Sequence, residues 1–359
     1  MNPHLDQSEI LAWLREQRPA RLTELWRLAN DTRRAHVGDA VHLRGLIEIS
    51  NHCVRQCAYC GLRVGNLPLP RYRMSAGEIL AAARQARDYG YGTVVLQAGE
   101  DFGITADWMA GIVRQIKKET SLAVTLSLGE RSAEDLALWR NAGADRYLLR
   151  FETSDLRLFN IIHPGMNGQP ADRIAILRQL KALRYETGSG VMIGLPGQTY
   201  ESVAHDICLF RELDLDMIGI GPFIMHPATP LGSGDVKLAP INGEQVPNTE
   251  LMVYKALALT RLVRPDANIP STSALATINK YNGRELGLQR GANVFMPNLT
   301  PLHYRRLYQI YPAKACIDET GDACNGCLRV RIATLGRSVG EGPGSRFDQA
   351  GPRQSARVL

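Results

Sequence analysis

From residue 46 to residue 296 the chain repeats one pattern, a short apolar run followed by a longer amphipathic stretch. The runs fall at 46–50, 93–97, 123–128, 146–150, 191–194, 217–220, 268–272 and 293–296. Helical spacing fits the stretches at 75–88, 106–119, 132–141, 171–185, 200–213 and 248–263. Short strands alternating with helices argue for an α/β protein with a parallel sheet. Eight such strands fit a full, closed (β/α)8 TIM-type barrel; an open doubly wound sheet is the alternative. A chain of 359 residues that is 45% hydrophobic can bury a core of that size. Ile10, Leu11, Leu14, Leu22, Leu25 and Leu28 recur at helical spacing. Residues 1–44 therefore read as an N-terminal helical lead-in, running through 34–44 to the first strand. The barrel domain spans 45–310, a C-terminal segment 311–335, and a mobile tail rich in Gly, Arg, Ser and Gln 336–359. A Gly/Pro-rich loop at 222–248 is long enough to suggest a functional role.

Many of the expected strands end in polar or glycine residues. Examples are Gln97-Ala98-Gly99-Glu100, Ser127-Leu128-Gly129-Glu130, Arg150-Phe151-Glu152, Gly194-Leu195-Pro196-Gly197, Thr272-Ser273 and Pro297-Asn298. In a parallel barrel these ends gather on one face, where active sites form. Apolar bodies with polar tips predict one large site at the mouth, although any single tip reads equally well as an ordinary βα turn.

Seven cysteines are present, and six of them fall into two groups of three. An odd number in a long chain without a signal-peptide pattern argues against a disulfide framework and for metal. The first group is Cys53, Cys57 and Cys60, C-x3-C-x2-C, directly after the first expected strand. Three thiolates on a short loop can hold an iron–sulfur cubane and leave one iron open to a small molecule. A structural zinc site would call for a fourth ligand; His52 is adjacent but competes with the strand end.

The spacing, with aromatic Tyr59 before the third cysteine, resembles the signature of the radical S-adenosylmethionine (SAM) superfamily. That resemblance implies a radical SAM barrel in which Cys53, Cys57 and Cys60 hold a [4Fe–4S] cluster and act as the catalytic centre. An electron from the cluster would split SAM into methionine and a 5′-deoxyadenosyl radical, with Tyr59 near the adenine. Gly99, Glu100 and Asp101 resemble the segment that meets the SAM amino group, with Ala98 in place of a glycine. Glu152 matches a carboxylate that contacts SAM, and could accept from ribose hydroxyls or the ammonium. Arg150 and Arg173 could hold the SAM carboxylate bidentately, or form plain salt bridges. Gly194, in GSGVMIGLPG, resembles the glycine-bearing strand that approaches adenine.

Longer strings narrow the resemblance. YCGLR (59–63), VLQAGED (95–101), AGADRYLLR (142–150), DMIGIGPFIMHPATPL (216–231) and ANVFMPNLTP (292–301) are similar to the HydE maturases of [FeFe]-hydrogenase. Membership there implies a monomer that works in assembly of the hydrogenase H-cluster. Its small-molecule substrate would be a cysteine-bound iron complex, attacked at sulfur. Its partners would be an external electron donor and the other hydrogenase maturases. Gln97, Thr125, Ser127, Thr272 and Ser273 are candidate substrate contacts, or else satisfy neighbouring backbone; Tyr304, Arg305 and Met225 are weaker candidates for the mouth. Phe151 stands where the family pattern has His, a departure that leaves room for a divergent substrate, such as another small sulfur-containing amino acid. Methylornithine synthase, which rearranges lysine, is a rival within the same subgroup; biotin synthase fits the tail cysteines less well. An iron–sulfur scaffold without SAM chemistry is the non-enzymatic rival.

The second group, Cys316, Cys324 and Cys327 (C-x7-C-x2-C), could hold a second iron–sulfur cluster and resembles an auxiliary site of some HydE members. Reduced core thiols are the alternative. Cys208, alone in an apolar helical stretch, reads as core. The net charge of +6 is scattered, with local runs only near Arg71–Arg73 and Arg329–Arg331, so no nucleic-acid partner is expected. No apolar stretch is long enough for a bilayer, so no membrane partner is expected and a cytoplasmic location is.

Overall fold

The computed structural model describes residues 5–166 and 168–346. Among the described residues eight strands run β1 (Ala40–Ser50), β2 (Thr93–Ala98), β3 (Ala123–Ser127), β4 (Arg146–Leu148), β5 (Glu186–Ile193), β6 (Met217–Pro222), β7 (Val294–Phe295) and β8 (Ser338–Val339). Their order is β6-β5-β4-β3-β2-β1-β7, with β8 pairing β1, and every named ladder is parallel. Parallel strands demand crossovers, and the helices supply them. Long crossover helices start where a polar side chain can take an orphan N–H: Ser75 and Glu78 form a capping box for Ala76–Asp88, and Thr199 and Ser202 one for Tyr200–Glu212.

The sheet curls strongly but does not close, which corrects the expected full (β/α)8 barrel. Its edges, β6 and β7, stand 10 Å apart. Neighbouring strands sit about 4.8 Å apart, so the gap is one strand wide. The run expected as a strand at 268–272 lies there as irregular chain, touching each edge through single bridges, Met217 to Asn268 and Pro270 to Val294. Its donors explain why no ladder forms. The Ile269 N–H goes to the Asn293 side chain (2.8 Å), and Pro270 has no N–H to give.

Two other differences concern the ends. The N-terminal helices are Gln7–Arg15 and Pro19–Val37, and residues 40–44, expected as helix, begin β1. Residues 336–346 of the expected tail pack against the sheet: β8 extends it, and Arg346 pairs with buried Asp216 (2.6 Å) and with Asp266 (2.8 Å). The remainder of that tail, 347–359, lies outside the described residues. Among the described residues no helix is long and apolar enough to cross a membrane.

Candidate active site

The C-terminal ends of the strands surround a cavity of about 340 Å³. Cys53, Cys57 and Cys60 line one part of it, on the loop that leaves β1 at Ser50. This loop is clamped onto the tip of β2: the Gly99 N–H donates to the Ser50 carbonyl (3.2 Å) and the Val54 N–H to the Glu100 carbonyl (2.9 Å). A Cβ on Gly99 would lie 2.2 Å from the His52 carbonyl oxygen and 2.8 Å from the Cys53 Cβ, so glycine is what lets the loop seat there. The loop's other side is tied to distant chain, the Ala58 N–H to the Ile162 carbonyl (2.8 Å) and the Gly61 N–H to the Ile310 carbonyl (3.1 Å).

All three thiols are free, and burial pushes each of them up, Cys57 to about 12. Such thiols stay protonated until a metal displaces the proton. Among the described residues no three His, Cys, Asp or Glu side chains converge as a single metal ion would need. A cubane makes no such demand, because each cysteine takes a different iron. A donor set of three soft sulfurs on one cavity wall, seated by Gly99, fits an iron–sulfur cluster.

Buried charge backs the loop. Arg55, inside the cysteine motif, pairs with Glu100 (2.7 Å) and Glu130 (2.6 Å). Glu130 also takes Arg173 (2.9 Å) and His163 (2.8 Å). Burial alone would raise the Glu130 carboxyl; His163, Arg173 and Arg55 hold it instead at about 2. Glu100, buried beside Glu130, is raised by its burial. The other nitrogen of His163 lies 3.0 Å from the Cys57 sulfur.

Across the cavity, Arg150 pairs with Glu152 at 3.1 Å, and Arg173 donates to the Arg150 carbonyl at 2.6 Å. Glu152 adopts φ of 63°, a left-handed value that is costly for a non-glycine residue. Backbone bonds to Gly190 and Met192 of β5 hold it there (3.0 and 3.3 Å). Tyr59, Gly99, Glu100, Glu152, Arg150 and Arg173 thus share the cavity wall with the cysteines. Asp101 does not: its oxygens are taken by Ser50 (2.7 Å), Arg73 (2.7 Å) and the Gly103 N–H (2.9 Å). Gly194, with φ of 84°, packs against Asn248 away from the cavity wall. Phe151 packs on Phe210 in the core (5.7 Å between centroids), so the departure at this position does not face the cavity.

Gln97, Ser127, Thr272 and Ser273 line the same cavity. Thr125 sits one pleat below Ser127 on the same face of β3, buried, with no hydrogen-bond partner for its Oγ1 among the described residues. Residues not anticipated complete this side. Lys314 forms a buried ion pair with Glu48, which also accepts from Asn298 (2.9 Å), and Tyr311 meets Ser273 (3.3 Å). Met225 is exposed and off the wall, and Tyr304 stacks on Tyr72 outside it (4.5 Å).

Cys316 and Cys324 stand on the wall between this cavity and an outer one of about 470 Å³, which Cys327 also lines. Cys316 has φ of 60° and its thiol meets that of Cys324. Arg305 does not line either cavity; it pins the segment by donating to the carbonyls of Cys316 (3.1 Å) and Glu319 (2.6 Å). Cys208 is buried in the core.

Known proteins fit this arrangement. The radical SAM superfamily profile matches residues 47–209. The [FeFe] hydrogenase maturase subunit HydE of Thermotoga maritima is 47% identical over 325 residues, 90% of this chain and 88% of that protein. The 3-methylornithine synthase of Methanosarcina acetivorans is 27% identical over 292 residues, 81% of this chain and 78% of its own. Among solved structures, a methylornithine synthase superposes with a TM-score of 0.78 over 96% of this chain and 95% of that one, at 23% identity, which speaks for the fold alone.

Proposed function

The chain belongs to the radical SAM superfamily and, within it, to the HydE family, and from that premise we propose that it acts on a small iron-bound cysteine complex during [FeFe]-hydrogenase maturation. Radical SAM chemistry, the cleavage of SAM, is its enzymatic class. In our reading Cys53, Cys57 and Cys60 hold a [4Fe–4S] cluster. When bound, that cluster supplies the electron that splits SAM into methionine and a 5′-deoxyadenosyl radical.

The protein's own groups do the rest. Glu152, held in a strained conformation beside β5, offers a carboxylate to the SAM ribose or ammonium. Arg150 and Arg173, already braced by Glu152 and Glu130, present positive charge to the SAM carboxylate. Tyr59 and Gly99 border the same pocket. Gln97, Ser127, Thr272 and Ser273 provide neutral hydrogen-bonding groups for the substrate, and Thr125 holds a further one in reserve on the same strand face. The apolar remainder of the wall, such as Leu46, Met192 and Ile224, excludes water from the radical. Cys316, Cys324 and Cys327 are a second, auxiliary iron–sulfur site. An external reductant and the sister maturases are the partners this reading requires.

The observation that carries the reading is that one cavity collects both the three cysteines and the polar strand tips. In-vitro maturation of an apo-[FeFe]-hydrogenase, with this protein replacing HydE, tests the substrate. Restored hydrogen evolution supports it. SAM cleavage without maturation, together with turnover of lysine, would assign the methylornithine-synthase alternative instead.

A further inference from the structure

We propose that His163 is a positioning residue that donates a hydrogen bond from Nδ1 to the Cys57 sulfur and so raises the reduction potential of the cluster on the first cysteine loop. The proposal rests on the cluster assignment above.

His163 follows the helix Leu156–Ile162 and is wholly buried. Its Nδ1 lies 3.0 Å from the Cys57 Sγ and its Nε2 lies 2.8 Å from a Glu130 oxygen. A cysteine that binds iron does so as a thiolate and has no proton to give. The proton in the Cys57–His163 contact must then come from Nδ1. The far side of the ring can supply that tautomer: Arg173 stands 3.1 Å from Nε2 and donates to it, which leaves the neutral ring's proton on Nδ1, toward the sulfur. Glu130 holds Arg173 in that place (2.9 Å).

The ring cannot easily turn away. Glu130 is itself fixed by Arg55 (2.6 Å) and Arg173 (2.9 Å), and Phe159 packs on the imidazole (5.1 Å between centroids). A carboxylate behind a histidine orients metal ligands in many sites. Here the ring is likewise fixed from behind, by Arg173 and Glu130, but the nitrogen that faces the ligand sulfur carries the proton. A hydrogen bond to that sulfur stabilises the more negative, reduced cluster over the oxidised one, and so makes reduction easier. The same network touches the SAM side, because Arg173 also donates to the Arg150 carbonyl and Arg150 pairs with Glu152.

The test is an anaerobic redox titration followed by electron paramagnetic resonance on the reconstituted full-length protein. It compares wild type with His163→Leu, His163→Asn and Glu130→Gln, each checked for iron content and cluster absorbance. His163→Leu is expected to shift the midpoint to more negative potential with the cluster still loaded. His163→Asn, which returns an N–H near the Nδ1 position, is expected to recover part of that shift, and Glu130→Gln to shift it less and in the same direction. Potentials equal to wild type in loaded His163→Leu overturn the proposal. Should His163→Leu take up no cluster, equal potentials in His163→Asn and Glu130→Gln overturn it just as well. A wild-type protein that takes up no cluster overturns the cluster assignment and this proposal together; loaded clusters with unmoved potentials overturn this proposal alone.

Discussion

The two cysteine segments share a composition and differ in how they are built. The first, Cys53–Cys60, is anchored to β2, to Ile162 and to Ile310 by backbone bonds, and a buried lattice of Arg55, Glu100, Glu130, Arg173 and His163 stands behind it. The second, Cys316–Cys327, is held by Arg305 on its carbonyls, by Thr320 capping the helix Gly321–Thr334, and by side-chain bonds nearer the surface, Tyr89 to Asp322 (2.6 Å), Tyr91 to Asn325 (3.2 Å) and Arg306 to Asp318 (2.9 Å). Cys327 is exposed, and its sulfur accepts from Arg331 at 3.3 Å. A site whose surroundings are over-determined can fix the geometry and electrostatics of a reacting centre. A site held by ties near the surface, with no buried charge lattice behind it, can bind metal without controlling it closely. The contrast supports the proposal that the chemistry belongs to the first segment and an accessory role to the second.

Cysteine replacement is the strongest way to break this comparison. Cys53→Ser, Cys57→Ser and Cys60→Ser should each abolish SAM cleavage, measured as 5′-deoxyadenosine released. Cys324→Ser should lower bound iron and leave that cleavage intact. Equal losses from both segments would erase the distinction.

A glycine packed against the first segment and one inside the second sharpen it. Gly99→Ala drives a methyl into the His52 carbonyl and should cost about 1–3 kcal/mol, the usual range for overpacking, with poorer cluster loading. Differential scanning calorimetry and iron content give the two readouts.

The chain behind Glu152 provides a pH-dependent case. Ser154 donates its N–H and hydroxyl to Asp206 (2.7 and 2.5 Å). Burial nevertheless lifts the Asp206 carboxyl from its ordinary 3.8 to about 7, against the pull of those bonds. A raised folded-state value means that the stability from this group is complete below 3.8 and is lost as pH climbs through about 7. Asp206→Asn keeps the neutral form at every pH. Its Tm should therefore exceed that of wild type above pH 7, by a margin that shrinks toward zero near the ordinary value.

Gly326, between Cys324 and Cys327 in the second segment's helix, gives the smallest effect and the opposite sign to Gly99. Nothing lies within 4 Å of where its Cβ would be. Gly326→Ala should stabilise by roughly 0.5–1 kcal/mol, the ordinary helix gain, seen as a small rise in Tm with SAM cleavage unchanged.

Much of the site is legible in the sequence because it depends on local order. The C-x3-C-x2-C loop follows β1 directly, and polar residues at strand ends must meet where parallel strands end together. Gln97, Ser127 and Glu152 reach the cavity on that rule, and Thr272 and Ser273 reach it although the run before them forms no strand. Asp101 and Gly194 follow the same rule and miss it, because Arg73 and Ser50 claim the one and Asn248 packs against the other. Arg55, His163 and Lys314 carry no local pattern, and Glu130 stands at a strand tip that does not show which charges it meets; their partners lie far away in sequence, and only folding brings them together. Sheet closure failed for a similar reason. The run at 268–272 has the length of a strand, but Pro270 and the Asn293 side chain each remove one ladder bond, on opposite sides of the run. A proline is visible in sequence, whereas a side chain competing from 24 residues away is not.

The central claim, that the first cysteine loop is where SAM is cleaved, meets its most direct test in anaerobic reconstitution with iron and sulfide, followed by SAM and dithionite. Wild type and the Cys324→Ser protein should release 5′-deoxyadenosine and methionine in equal amounts, and Cys57→Ser neither product. A wild-type protein that binds its cluster at Cys53, Cys57 and Cys60 and releases neither product would contradict it.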